Sequence, residues 1–143
     1  MLKKFTVFIL ILLLIPLCLS ANSLGEVNRK ISVQPLYTHI LKFDGSLSIK
    51  NGMAECYGVG RSQYTYTTTV IKVTLQKRAT GTTKWSSVCS WSDTQSGRVS
   101  AIVNEEKSVS KGYDYRILLK CTITDSEGVI KETDSMYSRV IQY

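Results

Sequence analysis

The stretch 111–128, KGYDYRILLKCTITDSEG, constrains the fold most, because it is the longest uninterrupted period-two pattern in the chain. Tyr113, Tyr115, Ile117, Leu119, Cys121 and Ile123 fall on one side of an extended backbone. Asp114, Arg116, Lys120, Thr122 and Thr124 fall on the other, with Leu118 the one apolar exception. An antiparallel strand with one wet face has this pattern, whereas helical spacing would scatter the same residues around the axis. Gly112 before it and Asp125-Ser-Glu-Gly128 after it are turn chemistry, so the strand has defined ends and hairpins into the next one.

The remainder of the chain repeats the theme. Asn51-Gly52 between two alternating runs predicts a tight hairpin, since its turn needs positive φ at both central residues. Strands are expected over 37–43, 46–50, 53–59, 65–77, 84–92, 99–103, 113–124 and 129–142, with Asp44-Gly45 ending or bulging the first. Ile71, Val73 and Leu75 alternate with Lys72, Thr74 and Gln76, and Trp85, Ser87, Cys89 and Trp91 are expected on one side of their strand. Asp134-Ser135 makes the last strand less regular. No amphipathic helix of ordinary length appears, so the fold class is all-β, an antiparallel sandwich of about seven strands.

The N-terminus has a different character. Met1-Leu2-Lys3-Lys4 is a short positive start, 5–19 is an apolar run broken by Pro16, and Ala21-Asn22-Ser23 supplies small residues where a signal peptidase cuts. The run is shorter than the ~20 residues a spanning helix needs. The organisation expected is therefore a signal peptide over 1–23, a flexible lead over 24–35 and a sandwich domain over 36–143, with an extracellular location and no membrane span after cleavage. Leu17 stands before Cys18 where lipid attachment calls for a small side chain, so Cys18 belongs to the discarded segment. Loss of Lys3 and Lys4 lowers the basic residues from 18 to 16 against 11 acids, and the net charge from +7 to +5. Such a balance favours an anionic cell-envelope polymer as partner, with a protein partner as the other choice. The basic residues are spread as singles and pairs, which argues against nucleic acid.

Catalytic chemistry finds little purchase. His39 is the sole histidine of the sequence, so a multi-histidine metal site is excluded and a nucleophile–base pair has one imidazole to use. Ser108-Val-Ser-Lys111 has the S-x-x-K spacing of penicillin-recognising enzymes but is followed by Gly112 in a β setting. Glu105-Glu106 point to opposite sides of an extended chain, and Gly58-Val-Gly60 lacks the third glycine of a phosphate loop. No catalytic residue, metal ligand or cofactor is expected. The candidate binding residues are aromatic: Tyr64 and Tyr66 at a loop-to-strand edge, and Trp85 and Trp91, as platforms for sugar rings or partner side chains. Cys56, Cys89 and Cys121 remain after the signal, an odd number that implies one bridge and one spare thiol.

Two resemblances follow from these residues. Cys121-Thr-Ile-Thr-Asp125-Ser-Glu-Gly128 resembles the F strand and F–G turn of immunoglobulin-like domains, and Cys56 matches the B-strand cysteine. Leu119 stands where that resemblance places a tyrosine, two before the cysteine, and no Trp lies midway in the strand after Cys56. An immunoglobulin-like or fibronectin-like sandwich is implied, and with it a bridge between Cys56 and Cys121; a Cys89–Cys121 pairing is the competitor. L-Q-K at 75–77, G-T-T-K-W-S-S-V-C-S-W-S at 81–92 and K-G-Y-D-Y-R at 111–116 resemble a family of small secreted proteins of unknown function from Gram-positive bacteria. The functional expectation is a secreted, non-enzymatic binding module; the alternative is a secreted antagonistic, bacteriocin-like protein.

Overall fold

The computed structural model describes residues 36–143; the expected signal peptide and lead lie outside the described residues. Eight strands follow in order: β1 (Ile40–Lys50), β2 (Met53–Ser62), β3 (Thr68–Ala79), β4 (Ser86–Ser96), β5 (Ala101–Ser108), β6 (Tyr113–Thr124), β7 (Ile130–Tyr137) and β8 (Ile141–Gln142). One sheet has the order β1-β2-β5 and the other β4-β3-β6-β7, with β8 beside the start of β6. All pairings are antiparallel. This is an immunoglobulin-like or fibronectin-like β-sandwich, with β2 and β6 in the B and F positions of opposite sheets.

The period-two reading of β6 holds. Tyr115, Ile117, Leu119, Cys121 and Ile123 are at most 1% exposed and share the core with Ile71, Val73 and Leu75 of β3. Each such buried aliphatic side chain contributes about 1.5–3 kcal/mol, so this two-strand layer dominates the interior. Tyr115 also does what the tyrosine of an immunoglobulin-like F strand does, six residues before the cysteine instead of two. Its hydroxyl donates to the Ser110 carbonyl at 2.9 Å and accepts from the Ser110 amide at 3.1 Å, tying the β5–β6 corner to the strand.

Asn51 and Gly52 have φ of 50° and 79°, the positive pair the hairpin requires. Gly58 and Gly60 of β2 are inward-facing for a different reason. A Cβ on Gly58 would lie 2.5 Å from Val73 Cγ2, and one on Gly60 would lie 2.9 Å from Cys121 Sγ. The two sheets approach too closely there for any side chain.

Three strand expectations need correction. Asp44-Gly45 does not interrupt β1; the irregularity falls at Leu41, the extra residue between Ile40 and Lys42 in the pairing with β2. In β4, Leu75 pairs with Cys89 but Gln76 with Ser87, so Val88 is an extra residue that exchanges the faces before and after it. The last strand is broken over 138–140, and its inner face carries two acids.

Those acids close an open side of the sandwich. Glu132 of β7 accepts hydrogen bonds from the backbone N–H groups of Ile40 (2.7 Å), His39 (2.7 Å) and Thr38 (3.1 Å). Beside it the Tyr37 hydroxyl donates to Asp134 at 2.5 Å. At the opposite side Asp93 of β4 accepts from the Ile102 amide of β5 at 2.8 Å and from the Thr94 amide at 2.8 Å. Each seam between the sheets is thus fastened by a carboxylate of the second sheet gripping main-chain donors of the first.

Candidate functional site

The loop between β2 and β3 is built around a buried hydroxyl. Ser62 Oγ accepts from the Tyr64 amide at 3.1 Å and lies 2.6 Å from Thr67 Oγ1, which is 3.0 Å from the Tyr64 carbonyl. This fixes Tyr64 and Tyr66 with ring centroids 5.2 Å apart and planes 29° apart, and His39 packs on Tyr64 at 5.1 Å. Tyr66 is 60% exposed at the outer end of the row. The Gly97 amide donates to the Thr67 carbonyl at 2.7 Å, which brings the β4–β5 turn alongside and lets Arg98 Nε donate to the Gln63 carbonyl at 2.7 Å.

A groove of about 430 Å3 results, lined by Leu41, Arg61, Gln63, Tyr64 and Arg98. The β1 bulge supplies Leu41, half exposed, as its apolar wall. Arg61 Nε is buried without a hydrogen-bond partner among the described residues, and Lys42 stands opposite Arg61 in the strand pairing. Among the described residues no carboxylate lines the groove. Two guanidinium groups beside a stacked tyrosine pair suit an anionic group carried on a ring or an apolar stem.

Sequence reasoning singled out the two tyrosines as surface candidates and did not single out Arg61, Arg98 or Leu41. The run Arg61-Ser-Gln-Tyr-Thr-Tyr66 does put an arginine among them, but Arg98 is distant in sequence and arrives through the Gly97 turn.

The tryptophans do not share a face. Val73 pairs with Trp91, which packs against the core, half-buried. The Val88 bulge turns Trp85 to the outer side, where the guanidinium carbons of Arg116 and Arg78 lie 4.1 and 4.7 Å from its ring. Arg116 also lies 3.9 Å from the Tyr137 ring. Trp85 is therefore a surface residue held between arginines, remote in sequence and sheet position from the tyrosine groove.

The implied Cys56–Cys121 bridge is not formed: all three cysteines of the described residues are free thiols. Both side chains point inward from opposite sheets, as expected, but at different levels. Cys121 lies under Gly60, four residues or ~13 Å along β2 from Cys56, whereas bridged Cα atoms stand within ~7 Å. Burial, with the neighbouring Cys89 thiol adding to it, pushes the Cys56 thiol up to about 12. Burial and then the acids of β7 push Cys121 up to about 12. Neither is a nucleophile at neutral pH. Cys89 is partly exposed, its thiol also raised by burial against the opposing influence of Lys107.

His39 is occupied structurally, with Nδ1 3.0 Å from Thr38 Oγ1 and its amide held by Glu132. Ser108 ends β5 and Lys111 follows in a bend, so the S-x-x-K residues do not share a helical turn. Among the described residues no three His, Cys, Asp or Glu side chains converge as metal ligands. Fold and groove together define a β-sandwich with a cationic, aromatic-walled cleft at one end. No protein-family model, curated protein or solved structure matches the chain.

Proposed function

We propose that the chain is a secreted, non-enzymatic binding module acting at or outside the cell envelope, and that it takes an anionic envelope polymer in the groove of Arg61 and Arg98. The observation that carries this reading is the convergence of Arg61 and Arg98 on one groove that no carboxylate of the described residues lines. An anionic ligand in the groove accepts charge-assisted hydrogen bonds from the guanidinium groups that line it. The tyrosines offer ring faces for sugar units, and the signal-like segment 1–23 supports export.

The test titrates the exported chain against purified envelope fractions. Arg61→Ala with Arg98→Ala lowers affinity roughly tenfold or more, as expected for lost charge-assisted bonds, and Tyr66→Ala lowers it less. Binding falls steeply towards ~0.5 M salt, where screening acts within a few ångströms. Retention of full affinity by the double variant, or no binding to any envelope fraction, overturns the assignment.

A further inference from the structure

The outer face of the second sheet has a charge pattern that folding alone does not favour. Lys72 of β3 and Lys120 of β6 are direct cross-strand partners, and both are exposed. Like charges opposed in this way destabilise a sheet. Ser92 pairs with Lys72 on one side and Ser135 with Lys120 on the other, so a row Ser92–Lys72–Lys120–Ser135 crosses four strands over ~15 Å. Further along the same face stand Arg116, ~13 Å from Lys120 by strand rise, and Arg78, ~20 Å from Lys72. The one outward acid within these strands, Asp114, is bonded to Arg78 Nε at 2.9 Å and to Thr80 Oγ1 at 3.2 Å.

The first sheet shows what a balanced face looks like. Glu55 and Glu106 are also opposed there, but Ser48 donates to Glu55 at 2.6 Å and Lys42, Lys50 and Arg61 share that face. On the second sheet, among the described residues, neither Lys72 nor Lys120 is in an ion pair. Next to Lys120 a hollow of about 390 Å3 is lined by Leu118, Lys120, Thr133, Asp134, Ser135 and Tyr137. Its acid, Asp134, is engaged by Tyr37 and by the Ser135 amide at 2.7 Å.

We infer that this face is a second binding surface, distinct from the tyrosine groove, which takes a linear polymer bearing phosphate groups along the Lys72–Lys120 row towards Arg116. The row presents four donor side chains in line, and a phosphate polymer repeats its anionic acceptors along the chain, with two non-bridging oxygens on each internal phosphate and three on a terminal or pendant one. The ligand's charge removes the repulsion between the lysines, so the cost carried by the free protein becomes binding energy.

The test uses inorganic polyphosphate as probe, with orthophosphate and polyglutamate as comparison ligands. Lys72→Gln with Lys120→Gln weakens polyphosphate binding about tenfold or more and flattens its logarithmic salt dependence by roughly one per lysine. The melting temperature of this variant stays level or rises, which a merely damaged fold would not show. Lys72→Glu, which creates an ion pair with Lys120, gives the same two results. Arg61→Ala with Arg98→Ala leaves polyphosphate binding on this face intact, so loss of the groove does not imitate loss of the face. Unchanged affinity in both lysine variants overturns the surface, as does binding abolished by the groove variant alone. Polyglutamate bound as tightly as polyphosphate overturns the phosphate assignment.

Discussion

The two seams of the sandwich solve one problem with unequal means. Between β7 and β1, a single carboxylate, Glu132, takes three consecutive amides, and Tyr37 clamps Asp134 beside it. Between β4 and β5, Asp93 takes one amide across the gap and spends its other oxygen on its own neighbour, Thr94. Among the described residues both sheets end in unpaired strand edges, and inward acids are one of the ways such edges are kept from pairing with other chains. The molecule therefore opens first on the β4–β5 side, where Asp93 has one cross-sheet bond to lose.

The largest expected effect is at the stronger seam. Glu132→Ala leaves three amides without their acceptor and lowers stability by about 2–4 kcal/mol, the Thr38 amide regaining water. Urea unfolding checks this; a loss below that of Asp93→Asn would invert the comparison.

Acid acts on both seams together. Burial opposes the charge of Glu132, but the amides of Ile40, His39 and Thr38 outweigh it and hold the carboxyl below its ordinary value. The Ile102 amide does the same for Asp93, against a smaller opposition from burial. Because both folded values are depressed, their stabilisation is complete above the unfolded values near ~4 and disappears as pH falls through the folded ones. Stability of the wild type therefore drops below pH ~4, and the drop is smaller in Glu132→Gln. An unaltered pH profile in that variant would remove Glu132 from the account.

Asp93→Asn is expected to cost about 1 kcal/mol globally, within the ordinary range for a single hydrogen bond. Its sharper readout is local, because hydrogen exchange at Ile102 speeds up while that at Ile40 does not. The smallest effect belongs to Tyr37→Phe. Burial first, then the bond to Asp134, raises this phenol to about 12, and its removal costs roughly 0.5–1.5 kcal/mol in thermal unfolding.

Neither seam could be read from the chain. Sequence reasoning located β6 residue by residue because its inner face is uniformly apolar, and placed the Asn51-Gly52 turn because the turn type dictates its residues. It took Asp134-Ser135 for an irregularity, since an inward carboxylate looks like a fault in alternation until its main-chain donors are known. The bulges at Leu41 and Val88 were hidden for a related reason: a bulge is a property of two strands, and alternation within one strand cannot reveal it. Hence Tyr64 and Tyr66 could be named as surface candidates from their alternation, while the Leu41 wall, the two arginines and the separation of Trp85 from Trp91 came only with the pairing.

Three thiols at three stations also give the protein an internal clock. Cys121 and Cys56 are wholly enclosed, one under Gly60 and the other further along the same strand, while Cys89 stands partly open beside the weaker seam. A thiol reagent in excess reaches each only as often as the surrounding strands part. The labelling rate of Cys89 then times the fraying of β4, and the rates of Cys56 and Cys121 time the separation of the sheets at two heights, so that one native chain records its own order of opening without an added probe.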